Sequence, residues 1–107
     1  MEINWRPEAI NALREVYLFH AENDERAADK IFNAILGVVD QLSAFPEMAP
    51  VEQQLTGLSD VYRSVVVHKL FKVVYVVDKH AERVVIISVW DCRQDPETLK
   101  KKVTKKQ

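Results

Sequence analysis

Apolar side chains recur along this chain with two different periods, and the change of period divides it in two. From Pro7 to about Glu22 the apolar positions Ile10, Leu13, Val16, Tyr17 and Ala21 are three or four residues apart, which puts them on one face of a helix. Pro7 suits the first helical position, where its missing N–H has no partner to lose. The polar run "ENDE" at 22–25 breaks the pattern. Asn23 or Asp24 can cap a second helix, and Glu25 favours its first turn. Ala27, Ala28, Ile31, Phe32, Ile35, Leu36, Val39 and Leu42 then form a longer stripe that "FPEMAP" ends. Two amphipathic helices joined by so short a turn fold back as an antiparallel hairpin with an apolar face to cover.

Beyond a loop holding Pro46, Pro50 and Gly57, the chain becomes rich in Val, Ile and aromatic residues: "VYRSVVV" (61–67), "FKVVYVVD" (71–78) and "RVVIISVWD" (83–91). The links "HKL" and "KHAE" are too short for a parallel crossover, so the three segments predict an antiparallel meander. The second and third are apolar at almost every position, as expected of central strands contacted on both faces. "EINW" at 2–5 predicts a first short strand. The order β-α-α-β-β-β, without internal repeat, predicts one α+β domain over residues 1–107. Its helical hairpin should pack on one face of a four-stranded, mainly antiparallel sheet.

Composition agrees with a globular chain. Of 107 residues, 48% are apolar and 29% charged, with two glycines and four prolines, which speaks against disorder or low-complexity linker. No basic-then-apolar leader opens it and no run approaches the roughly 18 apolar residues of a membrane span; a cytoplasmic protein without membrane contact is expected. The single cysteine, Cys92, can form neither an intrachain disulfide nor a protein-only zinc cage. His20, His68 and His80 match no metal-ligand spacing, so no cofactor or metal is expected. The net charge of −1 hides an asymmetry. "KKKVTKKQ" (100–107) holds five lysines and no acid, while residues 1–99 carry ten basic against sixteen acidic side chains, about −6. Such a body is a poor general surface for nucleic acid, and the end of the chain from about 100 to 107 is expected to be a solvated basic tail.

Candidate chemistry is sparse. Arg63 alternates with Val61 and Val65, on a face where the helices would leave the sheet open. With Lys72 at the start of the next strand and Arg93 just past the last, three cations could converge to suit a phosphate or carboxylate; alternatively Arg63 pairs with an acid. Trp90, Asp91, Cys92, Arg93 and Asp95 arrive together where the most apolar strand ends. No Gly-rich phosphate loop or nucleophile elbow is present.

The strand–helix–helix–three-strand order, "LTGLSDVYRSVVV" before the meander, "FKVVYVV" with its central tyrosine and the closing "VWDCRQDP" together resemble the RelE/ParE superfamily of bacterial type II toxins, from Ile3 to about Lys101. The resemblance implies a cytoplasmic toxin held silent by a cognate antitoxin, ParD-like or RelB-like. RelE-like members cut ribosome-bound messenger RNA with basic side chains and a C-terminal tyrosine or histidine. On that pattern Arg63, Lys72 and Arg93 (or Cys92) would form the catalytic set. Val65 replaces a lysine, however, and Thr98 or Leu99 stands where the tyrosine would be, removing proton-transfer help and weakening phosphate stabilisation. "VWDCRQDP" is closer to ParE-like members, which poison DNA gyrase by binding and need no catalytic set; that branch often has histidine where this chain has Asp91. The resemblance then implies a target-binding surface of Trp90, Asp91, Arg93, Lys100, Lys101 and Lys102, with Trp90 as anchor aromatic. A third possibility is an inactive member that only binds the antitoxin.

Overall fold

The computed structural model of the chain describes residues 1–93 and 96–105. The elements are β1 (Glu2–Trp5), α1 (Pro7–Ala21), α2 (Glu25–Ala44), a short 3-10 turn (Gln53–Leu55), β2 (Tyr62–Val67), β3 (Phe71–Asp78), β4 (Arg83–Asp91) and α3 (Pro96–Lys105). The predicted α+β order is therefore present, with one helix added at the end. Pro7 occupies the start of α1. Of the two possible caps for α2, Asp24 serves, its carboxylate accepting from the N–H groups of Arg26 and Ala27 at 3.0 and 3.2 Å; it satisfies donors that no helical carbonyl can reach.

The sheet order is β1-β4-β3-β2. The meander β2-β3-β4 is antiparallel, and β1 joins β4 in parallel, a pairing that the intervening helices make possible. β4 carries one extra residue: Tyr75 faces Ile86 while Val74 faces Ser88, so Ile87 has no partner on β3. Such a bulge shifts the side-chain phase, and Ile86 and Val89 consequently both turn toward the hairpin.

On that face lies the main core: Ala9 and Leu13 of α1, Ile35, Val39 and Leu42 of α2, and Val67, Val73, Tyr75, Val84, Ile86 and Val89 of the sheet. The opposite face has a smaller core of its own, built by Leu55, Tyr62, Val74, Trp90, Leu99 and Val103. This corrects the expectation of a basic tail. Leu99 and Val103, four residues apart on one side of α3, are 1% and 4% exposed against the sheet, so the chain from Pro96 to Lys105 is a docked helix. The helices are accordingly not confined to one face of the sheet. No helix among the described residues is long and apolar enough to cross a membrane.

Candidate functional site

A groove of about 1540 Å³ runs along the C-terminal half of β4. It exceeds the roughly 300–1,000 Å³ of small-molecule pockets. Its origin is the shortness of β1. That strand pairs only with Arg83–Ile86, the Arg6 N–H makes a further bond to the Ile86 carbonyl at 3.1 Å, and the chain then turns away into α1. Ile87–Asp91 thus has no neighbouring strand on that side among the described residues. Arg6 before α1 and Asn11, Glu15 and Phe19 of α1 contribute to the lining, with Val85, Ile87 and Trp90 of the sheet and Val103 of α3. Phe19, 62% exposed, is the most open large apolar side chain of α1, and it stacks edge-on with His20, which stacks in turn on Phe71. Among the charged lining residues the acids Glu8, Glu15, Asp60, Asp78 and Asp91 outnumber the cations Arg6, Lys79 and Arg93.

At one end of the groove the last strand delivers Asp91 and Arg93. Asp91 Oδ1 accepts from the Arg93 backbone N–H at 2.9 Å and from Nε at 3.0 Å, and Oδ2 accepts from Nη2 at 2.6 Å. Three bonds from one neighbour, Arg93's side chain first among the causes, hold the Asp91 carboxyl below its ordinary pKa despite partial burial. The arginine side chain remains 55% exposed. Lys100 is half-buried on α3 and Lys101 exposed; the Lys102 side chain and Asp95 lie outside what is described.

Other expected site residues are drawn apart. Arg63 pairs in register with Tyr75, which belongs to the hairpin-side core, so it lies on the covered face and not the open one. Its guanidinium donates to the Ala49 carbonyl at 2.7 Å and lies 3.7 Å from Glu47, clasping the loop after α2 to the sheet edge. The neighbouring Tyr75 hydroxyl is buried without a hydrogen bond of good geometry. Lys72 is opposite Trp90 in register, on the other face, and its ammonium is bound to Glu52. Glu52 is 4% exposed and also accepts from Ser64 Oγ at 3.1 Å and the Gln54 N–H at 2.9 Å. Burial pushes this carboxyl up, but Lys72, Gln54 and Ser64 together outweigh it and leave the pKa below the ordinary value. Arg63 and Lys72 therefore do not converge on one phosphate, and both already hold loop segments. Trp90, expected as the anchor aromatic of a target-binding surface, is 4% exposed beneath α3.

A family model described as ParE toxin of type II toxin-antitoxin system, parDE, matches residues 3–96. The chain belongs to the ParE toxins. A chain of the chromosomal ParDE TA system from P. aeruginosa has the same fold, with a TM-score of 0.68 at 15% identity over 85% of this chain and 95% of that one. No curated protein matches. This ParE-family toxin is thus the toxin component of a type II toxin–antitoxin pair. The family match ends at Pro96, so α3 lies almost wholly beyond it. Among the described residues of this ParE chain, no group of three His, Cys, Asp or Glu is placed to hold a metal ion. Sheet edges and hairpin grooves were expected from the sequence to receive an antitoxin segment, but the place of this groove along β4 was not. The available signal was the mismatch between a strand of four residues and a partner of nine.

Proposed function

We propose that this ParE-family chain inhibits bacterial DNA gyrase by binding, in the cytoplasm, and is neutralised by a cognate ParD-like antitoxin that occupies the groove along β4. The observation that supports binding over catalysis is the separation of Arg63 and Lys72 onto opposite faces of the sheet, each bonded to protein groups. Messenger-RNA cleavage needs cations gathered at one phosphate and a group to move a proton, and this arrangement offers neither. Binding needs only a presented surface. The rim where β4 ends, with Asp91, Arg93 and the lysines Lys100, Lys101 and Lys102 of α3, is that surface, while Trp90 supports it from beneath.

Antitoxin capture follows from the groove. An unpartnered strand segment flanked by an apolar helix side accepts an added strand or an amphipathic segment, and the acids Glu8, Glu15 and Asp60 favour one carrying basic residues. Induction of the gene alone in a bacterium, with thymidine and methionine incorporation followed over minutes, tests the target. DNA synthesis is expected to fall first, and co-expressed antitoxin to prevent it. A first and selective fall in methionine incorporation would favour messenger-RNA cleavage by a set including Arg63, Lys72 and Arg93. Incorporation unchanged in both, with soluble protein present, would leave an inactive partner of the antitoxin.

A further inference from the structure

We propose that Asp91 is a positioning residue that fixes Arg93 as a two-pronged fork for a carboxylate on the target protein. The inference rests on the gyrase-binding function proposed above. A guanidinium has five N–H donors in one plane. Asp91 takes the Nε–H and one N–H of Nη2, leaving the remaining Nη2 hydrogen and both hydrogens of Nη1. Among the described residues Arg93 has no other bonded partner. The free Nη2 hydrogen and the outer Nη1 hydrogen form the end-on edge of the guanidinium, the geometry that grips a planar oxyanion through two parallel bonds.

The mounting is rigid for so exposed a side chain. The backbone N–H of Arg93 donates to the same Asp91 oxygen, and the intervening Cys92 N–H donates to the Leu70 carbonyl at 2.7 Å, tying the turn to the β2–β3 hairpin. Asp91 itself is 19% exposed, opposite Phe71 at the end of the ladder. A guanidinium already held in place loses less rotamer freedom on contact than a free one. A protein carboxylate is the occupant because the body of the chain is strongly acidic and Glu15 and Asp60 lie along the same groove. A nucleic-acid backbone would meet that charge over many phosphates, whereas a single carboxylate meets only the fork.

The test is a titration of gyrase binding, without DNA, and of supercoiling inhibition with purified full-length R93A, R93K, D91N and D91N/R93A, their folding checked by thermal melts. R93A is expected to weaken binding about tenfold or more, as loss of an interface arginine does. R93K, a point charge without the fork, should fail similarly. D91N keeps the acceptor for the backbone N–H but releases the guanidinium's charge partner, and should weaken binding about three- to tenfold, with no further loss in the R93A background. Wild-type binding by R93K would overturn the fork while leaving gyrase inhibition standing. Tighter binding by D91N would show that Asp91 masks Arg93, and an unchanged D91N loss in the R93A background would show that it acts elsewhere; either overturns the proposal. A loss in R93A seen only when DNA is present would replace the carboxylate by a phosphate. Full binding by R93A removes Arg93 from the contact. A wild-type chain that does not bind gyrase removes the underlying function and this role with it.

Discussion

The two faces of the sheet are built by different means. The hairpin face is covered by two long helices whose apolar stripes meet valines and isoleucines over most of the sheet. The other face is covered by a 3-10 turn and one short helix through a handful of side chains, Leu55, Leu99 and Val103 above Tyr62, Val74 and Trp90. Each face also carries an ion pair to the loop after α2, Arg63 with Glu47 on the hairpin side and Lys72 with the more deeply buried Glu52 on the other. The larger core lies on one side of the sheet, and the surface assigned to partners runs along the open edge of β4, between α1 and α3, and its rim. A toxin that must be captured and act on a target benefits from that division, because changes at the working side leave the main core in place.

The division can be broken or sharpened by substitution. The largest effect belongs to the hairpin face. Ile35→Ala or Ile86→Ala, both fully buried, should cost about 2–5 kcal/mol in urea unfolding, from lost burial and the cavity left behind. On the second face, Lys72→Ala should cost about 1–3 kcal/mol, because it leaves the buried Glu52 carboxylate with an unmet acceptor. At equal folded concentration, neither it nor Arg63→Ala should reduce target inhibition; a large loss in both would restore the messenger-RNA cleavage alternative. The paired change Leu99→Ala/Val103→Ala should undock α3 without unfolding the rest, read as red-shifted Trp90 emission in a Trp5→Phe background and unchanged cooperativity of the main transition. A collapse of the whole fold would contradict the independence of the two cores. Asp24→Ala, at the cap of α2, should cost about 1 kcal/mol.

Acid gives the smallest and most graded test. Glu52 and Asp91 both have folded-state pKa values below their ordinary ones. Their contribution is complete above the ordinary carboxylate range and is lost as the pH falls through the depressed folded values. The urea midpoint should therefore decline below about pH 4.5, and less steeply in K72A, whose Glu52 has lost its cation. An equal slope in K72A would mean that the pair does not set the acid limb.

Much of this was legible in the sequence because period and composition carry local physics. The three- and four-residue spacing of Ile31, Ile35, Val39 and Leu42 and the dense apolar runs at 71–78 and 83–91 correspond to α2, β3 and β4. The last helix was hidden by its four lysines. Its signals were present but few: Pro96 at the first position, Glu97 early and lysines late in accord with the helix dipole, and Leu99 and Val103 one turn apart. Arg63 shows a different limit. Alternation identified its valine neighbours correctly, but which face the helices cover depends on long-range register, and pairing with Tyr75 settled that. Trp90 was misplaced for the same reason, since nothing local says that a later helix will bury it. The bulge at Ile87 leaves no mark in a run of apolar residues. At the rim, Asp91 and Arg93 were picked out from the family resemblance, and their mutual bonding is visible only in three dimensions.

The central claim is that this toxin works by binding gyrase and not by cutting RNA. The most direct measurement adds the purified chain to gyrase, relaxed circular DNA and ATP in one tube, and to translating ribosomes with a defined messenger in another. Dose-dependent loss of supercoiling is expected, relieved by the antitoxin, with the messenger intact. Undisturbed supercoiling together with cleaved messenger would contradict it.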